Sequence, residues 1–299
     1  MNKDYRALAK PYTVTDGRKF RLTDHAPNGP GRRAAQHDTK KFLKGGIKVL
    51  ADLQERLYAQ DRWGVLFIFQ AMDASGKDSA IKAVMSGIDP KGCQVFSFKA
   101  PSSEELDHDF LWRTSKSLPE RGRIGVFNRS YYEETLIVRV HPALLGRQKL
   151  PPQLVTRRIW NERFEDINAF ERYLARNGYV IRKFFLNISR AEQRRRFLAR
   201  LDRPEKNWKF AMGDLEERGR WRAYMAAYEE TIRRTATRHA PWVVVPADDK
   251  PFARTVIAAA MIEALSALHL DFPPLDAEQK RDLGLARRML IQEARGAKP

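Results

Sequence analysis

Residues 65–79 read VLFIFQAMDASGKDS, and this stretch decides the fold that the sequence predicts. The five apolar residues at 65–69 are typical of a buried strand, and a short turn of small residues follows them. A helix then opens at Lys77, so that backbone N–H groups and the positive end of the helix dipole converge on one point. A strand, loop and helix in this order predict a site that holds phosphate.

The loop departs from the usual G-x-x-x-x-G-K-[ST] pattern at two positions. Ala71 stands at the first glycine, and Asp78 replaces the hydroxyl that normally binds Mg²⁺. Asp73 lies inside the loop, and two carboxylates beside a phosphate repel it unless metal ions lie between them. The loop therefore predicts metal-assisted phosphoryl transfer rather than an ordinary strand-to-helix turn with Lys77 in solvent. The candidate phosphate-binding residues are Ala74, Ser75, Gly76, Lys77, Asp78 and Ser79.

A second group of candidate residues follows the apolar segment at 124–127. In phosphate-loop proteins the strand beside the first one carries another polar group at its carboxyl end, and here Asn128 and Arg129 occupy that place. The planar guanidinium of Arg129 can hold phosphate oxygens, and Glu133 can help to hold Mg²⁺. The alternative is a polar loop that closes a strand, with Arg129 in a surface ion pair.

Five apolar segments alternate with amphipathic helices along the chain, which predicts an α/β fold with a parallel, doubly wound sheet. Ligands of such sheets bind at the carboxyl ends of the strands. Residues 1–37 are polar, basic and rich in proline, so we expect an irregular arm followed by one domain at 38–299. The strands are expected at 65–69, 94–98, 124–127, 179–188 and 242–245, and the helices at 39–60, 103–118, 153–177 and 252–268.

The 299-residue chain carries 55 Lys and Arg against 37 Asp and Glu, a formal charge of +18. Such an excess indicates an anionic partner, and phosphate-rich ligands are the first candidates. The chain has no apolar run long enough to span a membrane and no secretory signal pattern, so we expect a cytoplasmic protein without a membrane partner. The one cysteine, Cys93, permits no internal disulfide and is expected to be a small buried apolar residue.

A strongly basic segment at about 190–215 is predicted to be a helical lid over the phosphate loop. Clustered positive charge opposite a polyanion would neutralise it and exclude water, as phosphoryl-transfer enzymes require. A solvated helix face is the alternative for these charges. Nucleic-acid binding is not expected, because the segment, which includes Trp208, lacks aromatic residues spaced for base stacking. The candidate contacts are Arg194, Arg200, Arg203 and Lys206.

Four ordered motifs resemble the polyphosphate kinase 2 family over about residues 39–271. They are MDASGKD at 72–78, VFSFKAP at 95–101, FNRSYYE at 127–133 and RPEKNWK at 203–209. The resemblance implies a phosphate-loop kinase-like three-layer sandwich with a five-stranded parallel sheet and a helical basic lid. It also implies Mg²⁺-dependent transfer of phosphoryl groups between inorganic polyphosphate and nucleotides, with Mn²⁺ as an alternative ion.

The resemblance assigns roles to individual residues of this chain. Asp73 matches the acid that orients the accepting phosphate, Lys77 the loop lysine and Asp78 a loop acid near the metals. Arg129 matches a phosphate clamp, which makes Asp73, Lys77 and Arg129 the expected catalytic residues. Lys183 and the lid arginines match the family's basic channel more loosely.

The ending Tyr-Tyr-Glu at Glu133 resembles the subclass that phosphorylates both nucleoside monophosphates and diphosphates. The expected substrates are therefore polyphosphate and AMP, ADP or ATP, with guanine nucleotides also open, in a reversible reaction. The resemblance suggests a homo-oligomer, either a dimer or a tetramer. One rival is an ATP-dependent nucleoside or nucleoside-monophosphate kinase, and another is a non-catalytic protein that binds polyanions or nucleic acid.

Overall fold

A computed structural model describes residues 2–29 and 39–296 of the chain, and six strands form one sheet within these ranges. Their spatial order is first, sixth, fifth, second, fourth and third along the chain. The five longer strands pair in parallel, as the sequence predicts, and the first strand adds an antiparallel edge. The strands are β1 (Thr13–Val14), β2 (Gly64–Ala71), β3 (Cys93–Ser97), β4 (Ile124–Asn128), β5 (Tyr179–Asn187) and β6 (Trp242–Pro246).

Helices pack in two groups, which makes the fold a three-layer sandwich. The helices are α1 (Asn2–Ala9), α2 (Thr39–Gln60), α3 (Lys77–Val84), α4 (Ser103–Leu106), α5 (Trp112–Ser115), α6 (Ile137–Val140), α7 (Ile159–Arg176), α8 (Arg190–Leu201), α9 (Pro204–Asn207), α10 (Met212–Gly219), α11 (Trp221–Thr235), α12 (Lys250–Ser266) and α13 (Ala277–Gly296). α12 packs against α1, α2 and α3, while α7 packs against α11. Because β5 contacts both α12 and α7, helices cover both faces of the sheet. No helix in the described ranges is long and apolar enough to cross a membrane.

The central strand β2 sets the position of the phosphate loop. Residues 65–69 are fully buried, and the ring of Phe69 stacks on that of Phe184 with centroids 4.7 Å apart. Phe69 pairs with Asn128 on β4, so the polar residues that end β4 lie beside the loop that follows β2. The register of the parallel strands therefore brings the two predicted groups together at one edge of the sheet.

Two predicted helices are shorter than the apolar pattern indicates. The helix predicted at 103–118 is divided into α4 and α5, because the Asp109 carboxylate accepts a hydrogen bond from the Leu111 N–H and forms a turn there. The helix predicted at 153–177 begins at Ile159, after a turn in which the Thr156 hydroxyl accepts from Arg158.

The C-terminal helix α13 was not predicted, although its start has a clear signal. The Asp276 carboxylate accepts from the N–H of Gln279, and the Gln279 side chain accepts from the N–H of Asp276. This reciprocal capping is typical of a helix start. Its apolar side chains are exposed, so the helix does not contribute to the core: Leu283, Leu285, Met289, Leu290 and Ile291.

The N-terminal arm is ordered in its described part, which corrects the expectation of an irregular segment. Tyr5 and Ala9 of α1 are buried against the domain, and Val14 of β1 pairs with Trp242 of β6. Phe20 is buried in the core and its ring lies 5.0 Å from that of His25. The arm therefore packs on the domain of its own chain. Residues 30–38 lie outside the described ranges.

Replacing Phe20 with Ala tests whether the arm is part of the folded unit. The substitution leaves a cavity in the core, and we expect the free energy of unfolding to fall by about 3 kcal/mol. The exposed Lys19→Ala variant is the matched control and should stay within about 0.5 kcal/mol of the parent. Urea unfolding measures both values, and equal stability of the two variants would contradict the packing described for the arm.

Candidate active site

The phosphate loop joins β2 to α3 through a turn that uses two left-handed residues. Ala74 has φ of +60° and Gly76, the N-cap of α3, has φ of +95°. Ser75 is buried and its hydroxyl donates to the carbonyl oxygen of Met72. Ala71 is the last residue of β2, where the backbone is extended and no glycine is needed. The departure at the first glycine position is therefore compatible with the turn.

The guanidinium of Arg196 on α8 fixes the back of this loop. Its Nη1 donates to the carbonyls of Ala74 and Ser75 at 3.2 and 2.7 Å, and its Nη2 donates to those of Ala247 and Asp248 at 2.6 and 3.0 Å. The side chain is 6% exposed. Because these carbonyls point toward Arg196, the loop is held from behind by the same helix that begins the basic segment.

Lys77 reaches from the first turn of α3 to the end of β4. Its ammonium donates to Oδ1 of Asn128, and Nδ2 of Asn128 donates to Oδ1 of Asp78 at 2.8 Å. The Lys77 side chain is largely buried, whereas that of Asp78 is 80% exposed. Burial lowers the pKa of Lys77, and the positive charge of Arg129 adds to this effect. Two cations are thus held close together at the mouth of the loop.

Arg129 follows β4 with a left-handed backbone, at φ of +66°. Its N–H donates to the Phe69 carbonyl, and its Nη2 lies 3.5 Å from Oδ1 of Asp73. Burial acts to lower the pKa of Arg129, but the carboxylates of Glu133 and Asp73 raise it above the ordinary value. Backbone strain of this kind persists where the surroundings enforce it and often marks a functional site. The structure therefore brings Asp73, Lys77 and Arg129 together.

Glu133 lies in the 3₁₀ turn Tyr131–Thr135, which is capped by Ser130. Burial raises the pKa of Glu133, while Arg129 and Lys77 act against that rise. The side-chain amide of Gln70 is oriented with its nitrogen toward Glu133. The nitrogen donates to Oε1 of Glu133 at 2.9 Å, and the oxygen accepts from the Ser130 N–H at 3.2 Å. The carboxylate of Glu133 is thus oriented by the end of the central strand.

The three predicted metal ligands do not form one cluster. In the described parts of the chain, no three His, Cys, Asp or Glu side chains gather as a ready-made metal site. Asp73 and Glu133 both face Arg129, whereas Asp78 is exposed and bonded to Asn128. Mg²⁺ usually keeps several waters and takes one or two protein carboxylates together with substrate phosphates. Asp73 and Glu133 fit that donor set, and Asp78 stands apart from it.

The predicted lid residues occupy different environments. Arg200 donates to the Lys209 carbonyl at 3.0 Å and to Asp214 at 3.3 Å, so it holds the segment together. Arg194 and Arg203 are exposed, and Lys206 is partly exposed. Burial is the main cause that raises the pKa of Asp214. The charge of Asp73 raises it further, and that of Arg129 opposes the rise. The segment therefore lies near the mouth of the loop.

Lys250 is a cation beside the loop that the sequence motifs did not reveal. Its Cε lies 3.6 Å from the position that a Cβ on Gly76 would take. Burial lowers its pKa, and the positive charges of Arg196, Arg254 and Lys206 lower it further. Within the described ranges its ammonium has no hydrogen-bonded or ion-paired partner. Its place after β6, at the carboxyl end of a parallel strand, is the signal that could have identified it.

Lys183 does not belong to a basic channel, and this corrects the sequence interpretation. The residue is 0% exposed, and its ammonium donates to Glu171, Tyr132 and the Thr235 carbonyl. It lies in the middle of β5, away from the strand end where the loop is found. All three of its donors are satisfied inside the core, so no ligand can reach it.

The sequence of residues 33–273 matches the family model described as Polyphosphate kinase 2. The chain belongs to the polyphosphate kinase 2 family. The resemblance stated from the four motifs is thereby confirmed. The matched range contains the five parallel strands and the basic segment.

Relatives of the polyphosphate kinase 2 family cover nearly the whole chain. The chain is 47% identical to an ADP-polyphosphate phosphotransferase of Rhodopseudomonas palustris, over 95% of this chain and 98% of the relative. It is 44% identical to an AMP/ADP-polyphosphate phosphotransferase of Meiothermus ruber, over 91% of this chain and 98% of the relative. The crystal structure of polyphosphate kinase 2 from Arthrobacter aurescens TC1 superposes with a TM-score of 0.84 at 39% identity, covering 93% of this chain and 96% of that one.

Replacing Arg196 with Ala tests the role given to the back of the loop. Four carbonyl oxygens lose a charged donor, so we expect the free energy of unfolding to fall by about 3 kcal/mol. Displacement of the loop should also lower kcat by roughly 100-fold. Arg195→Ala is the matched control, since Arg195 is exposed and bonds Glu192 alone among the described residues. A folded Arg196→Ala variant with the parent's kcat would show that the loop does not depend on this contact.

Proposed function

We propose that this chain is a Mg²⁺-dependent phosphotransferase that moves the terminal phosphoryl group of polyphosphate to AMP and ADP, in a reversible reaction. The observation that supports it is the arrangement at the phosphate loop. The carboxylates of Asp73 and Glu133 and the cations Lys77 and Arg129 lie together there, between a cationic surface and a separate cleft. The names of the two relatives support polyphosphate as donor and AMP or ADP as acceptor.

The donor binds on the cationic side of the loop. Lys250 and Lys206 lie there and form no ion pair within the described ranges, although the Glu192 carboxylate acts on Lys250, and Arg203 is exposed close by in the chain. Polyphosphate carries about one negative charge per phosphate, so its tail requires an extended row of cations rather than one clamp. Binding should weaken as salt rises. The bound cations displace counterions from the polyanion, and the release of these counterions is less favourable at high salt.

The acceptor binds in a cleft on the other side of Glu133. The cleft lies between the segment that follows β3 and the 3₁₀ turn Tyr131–Thr135. It offers an imidazole, an aromatic ring and a guanidinium, which suit a base, a ribose and a phosphate. Its lining includes His108, Phe110, Arg113, Ser130 and Glu133.

The residues at the junction have distinct roles in transfer. Lys77 and Arg129 hold the oxygens of the transferred phosphoryl group, and the loop N–H groups converge on it. Asp73 lies beside Arg129 and aligns the attacking phosphate oxygen of the acceptor. Asp73 and Glu133 would hold the Mg²⁺, which supplies charge neutralisation between donor and acceptor when bound. Because the site is built on strand ends, little reorganisation is needed for transfer.

The rivals make different demands on the same surface. An ATP-dependent kinase needs a lid that contacts a purine, whereas the segment at 190–215 presents exposed arginines and lysines. A non-catalytic polyanion-binding protein needs positive charge alone, and the burial of Glu133 beside Arg129 would then have no function. The site therefore supports a polyphosphate-dependent kinase better than either rival.

The proposed ion is Mg²⁺, with Mn²⁺ as the alternative, guanine nucleotides stay open as further acceptors, and the proposed location is the cytoplasm. Residues 1–37 form an arm and 38–299 one domain with a lid at about 190–215.

A homo-oligomer, either a dimer or a tetramer, is supported by the exposed apolar residues of α13, such as Leu283 and Leu290. Light scattering tests the assembly, and a monomer mass would contradict it.

Nucleotide analysis after incubation with Mg²⁺ and long-chain polyphosphate tests the proposed reaction. Supplied with AMP, the protein should form ADP and ATP; supplied with ADP, it should form ATP. Lys77→Ala should abolish both products, with a loss of at least roughly 1,000-fold because it removes a charge that stabilises the transition state. Lys82→Ala on the exposed face of α3 is the matched control and should keep full activity.

The outcomes of this assay separate the candidate functions. If only the ADP sample gives a product, polyphosphate is still the donor. The prediction from Glu133 that AMP is also an acceptor would then be wrong. Products with ATP but not with polyphosphate as donor would favour the ATP-dependent kinase. Substantial activity in a folded Lys77→Ala variant would contradict the site itself.

Replacing His108 with Ala tests the acceptor cleft. His108 is exposed and stacks on Trp112 at 3.8 Å, so its loss should leave the fold intact. We expect KM for AMP to rise about 5-fold, as for the loss of one stacking or polar contact, with KM for polyphosphate unchanged. Lys116→Ala is the matched control, because Lys116 contacts the same Trp112 ring but does not line the cleft. A rise in KM for polyphosphate instead would place the donor in this cleft.

A further inference from the structure

A buried ion pair contacts the 3₁₀ turn that carries Glu133. Both Lys183 on β5 and Glu171 on α7 are 0% exposed, and Nζ of Lys183 is 2.6 Å from Oε2 of Glu171. Nζ also donates to the hydroxyl oxygen of Tyr132 at 2.9 Å and to the Thr235 carbonyl at 2.8 Å. Burial lowers the pKa of Lys183, and the Glu171 carboxylate opposes that shift. Every donor of the ammonium is therefore used within the core.

Stability alone does not account for this pair. Two charges in a dry interior lose their hydration, and apolar residues of similar volume often serve as well or better. The surrounding positions are already apolar or aromatic, with Trp242 and Tyr132 rings each 5.3 Å from the ammonium. A polar pair in such a place does, however, impose fixed directions on its partners, which an apolar cluster cannot do.

The directions imposed here lead to the active site. Oε1 of Glu171 accepts from the hydroxyl of Tyr131 at 2.9 Å and from that of Tyr132 at 2.7 Å. These tyrosines begin the 3₁₀ turn whose next residue is Glu133, and they follow Arg129 by two and three positions. Glu133 follows them in the same turn, and its carboxylate interacts with the positive charges of Arg129 and Lys77.

A second set of bonds holds the far end of the same turn. The hydroxyl of Thr231 on α11 donates to Oγ1 of Thr135 at 3.0 Å. The hydroxyl of Thr235 accepts from the indole N–H of Trp242 at 2.9 Å, and its carbonyl accepts from Lys183. The turn is thus held at its start by Glu171 and at its end by α11, and Lys183 contacts both supports.

We propose that Lys183 and Glu171 are positioning residues for phosphoryl transfer, which act through Tyr131 and Tyr132 to fix Glu133 and the Arg129 turn. Neither residue touches substrate. The inference rests on the proposed function, since it gives Glu133 and Arg129 their roles in that reaction. It also explains why a lysine lies at a core position of β5 where valine or isoleucine would otherwise be expected.

The test replaces the pair with apolar residues, so that no unpaired charge is left buried. Lys183→Met combined with Glu171→Leu should fold without a buried unpaired charge, at a lower melting temperature, because the Tyr131 and Tyr132 hydroxyls and the Thr235 carbonyl lose these partners. Its kcat should fall roughly 100-fold, because displacement of reacting groups by about 1 Å has effects of that size. The Mg²⁺ concentration for half-maximal activity should rise several-fold, while KM for polyphosphate changes less than about two-fold, since neither residue lines the donor side.

Two further variants keep the test decisive if the double variant does not fold. Tyr131→Phe and Tyr132→Phe each keep the ring and remove one hydrogen bond to Glu171, and Tyr132→Phe also removes an acceptor of Lys183. Each should lower kcat by about 5- to 20-fold, as expected for loss of a hydrogen bond to a charged group. Combined with the apolar pair, neither should lower kcat further, because the bond is already absent. Parent values of kcat in both tyrosine variants would overturn the proposal.

A remote core variant separates positioning from general destabilisation. Leu57→Ala lies in α2, is fully buried, and should lower the melting temperature as much as the pair substitution or more. Its kcat and Mg²⁺ requirement should match the parent's when the folded fraction is assayed. A crystal structure of the double variant gives a readout independent of turnover: Glu133 should be displaced or disordered, and an unmoved Glu133 would overturn the proposal. A parent protein without polyphosphate activity would instead refute the proposed function.

Discussion

Four carbonyl oxygens converge on the Arg196 guanidinium, and the geometry of the active site depends on this contact. Two of them belong to the phosphate loop and two to the segment after β6. The loop needs left-handed backbone at Ala74 and Gly76 to turn its N–H groups outward, and Ala74 takes that conformation at a cost of about 1 kcal/mol. Arg196 offsets that cost and leaves the other face of the loop free for phosphate.

The active site is asymmetric, because one side of it is cationic and the other side is a cleft. On the side of β6 and α8 lie Lys250 and Lys206, which suit a long polyanion. On the side of β3 lies the cleft at Arg113 and Phe110, which suits one nucleotide. The end of β4 lies between them. In the proposed reaction the phosphoryl group would therefore pass Arg129, and the two substrates would meet only at the reacting atoms.

The sequence predicted the residues that follow strands and missed those that act from behind. Lys77, Arg129 and Glu133 could be placed because the carboxyl ends of parallel strands share one edge of the sheet. Arg196 was one arginine among many in a basic helix, since pattern alone does not show which one points inward. Lys183 was misplaced for the same reason: a lysine in a strand indicates a ligand or an edge, and a buried partner 12 residues earlier on a helix leaves no periodic signal. Helix α13 was missed although its Asp276–Gln279 cap was present.

A crystal structure with a non-hydrolysable polyphosphate and AMP would test the central claim most directly. We predict that the last phosphate of the donor lies against the N–H groups of residues 75–77, within hydrogen-bond distance of Lys77 and Arg129. Its tail should follow Lys250 and Lys206, and the AMP phosphate should lie between Asp73 and Glu133. A polyphosphate chain bound elsewhere on the basic surface, with no phosphate in the loop, would contradict the account.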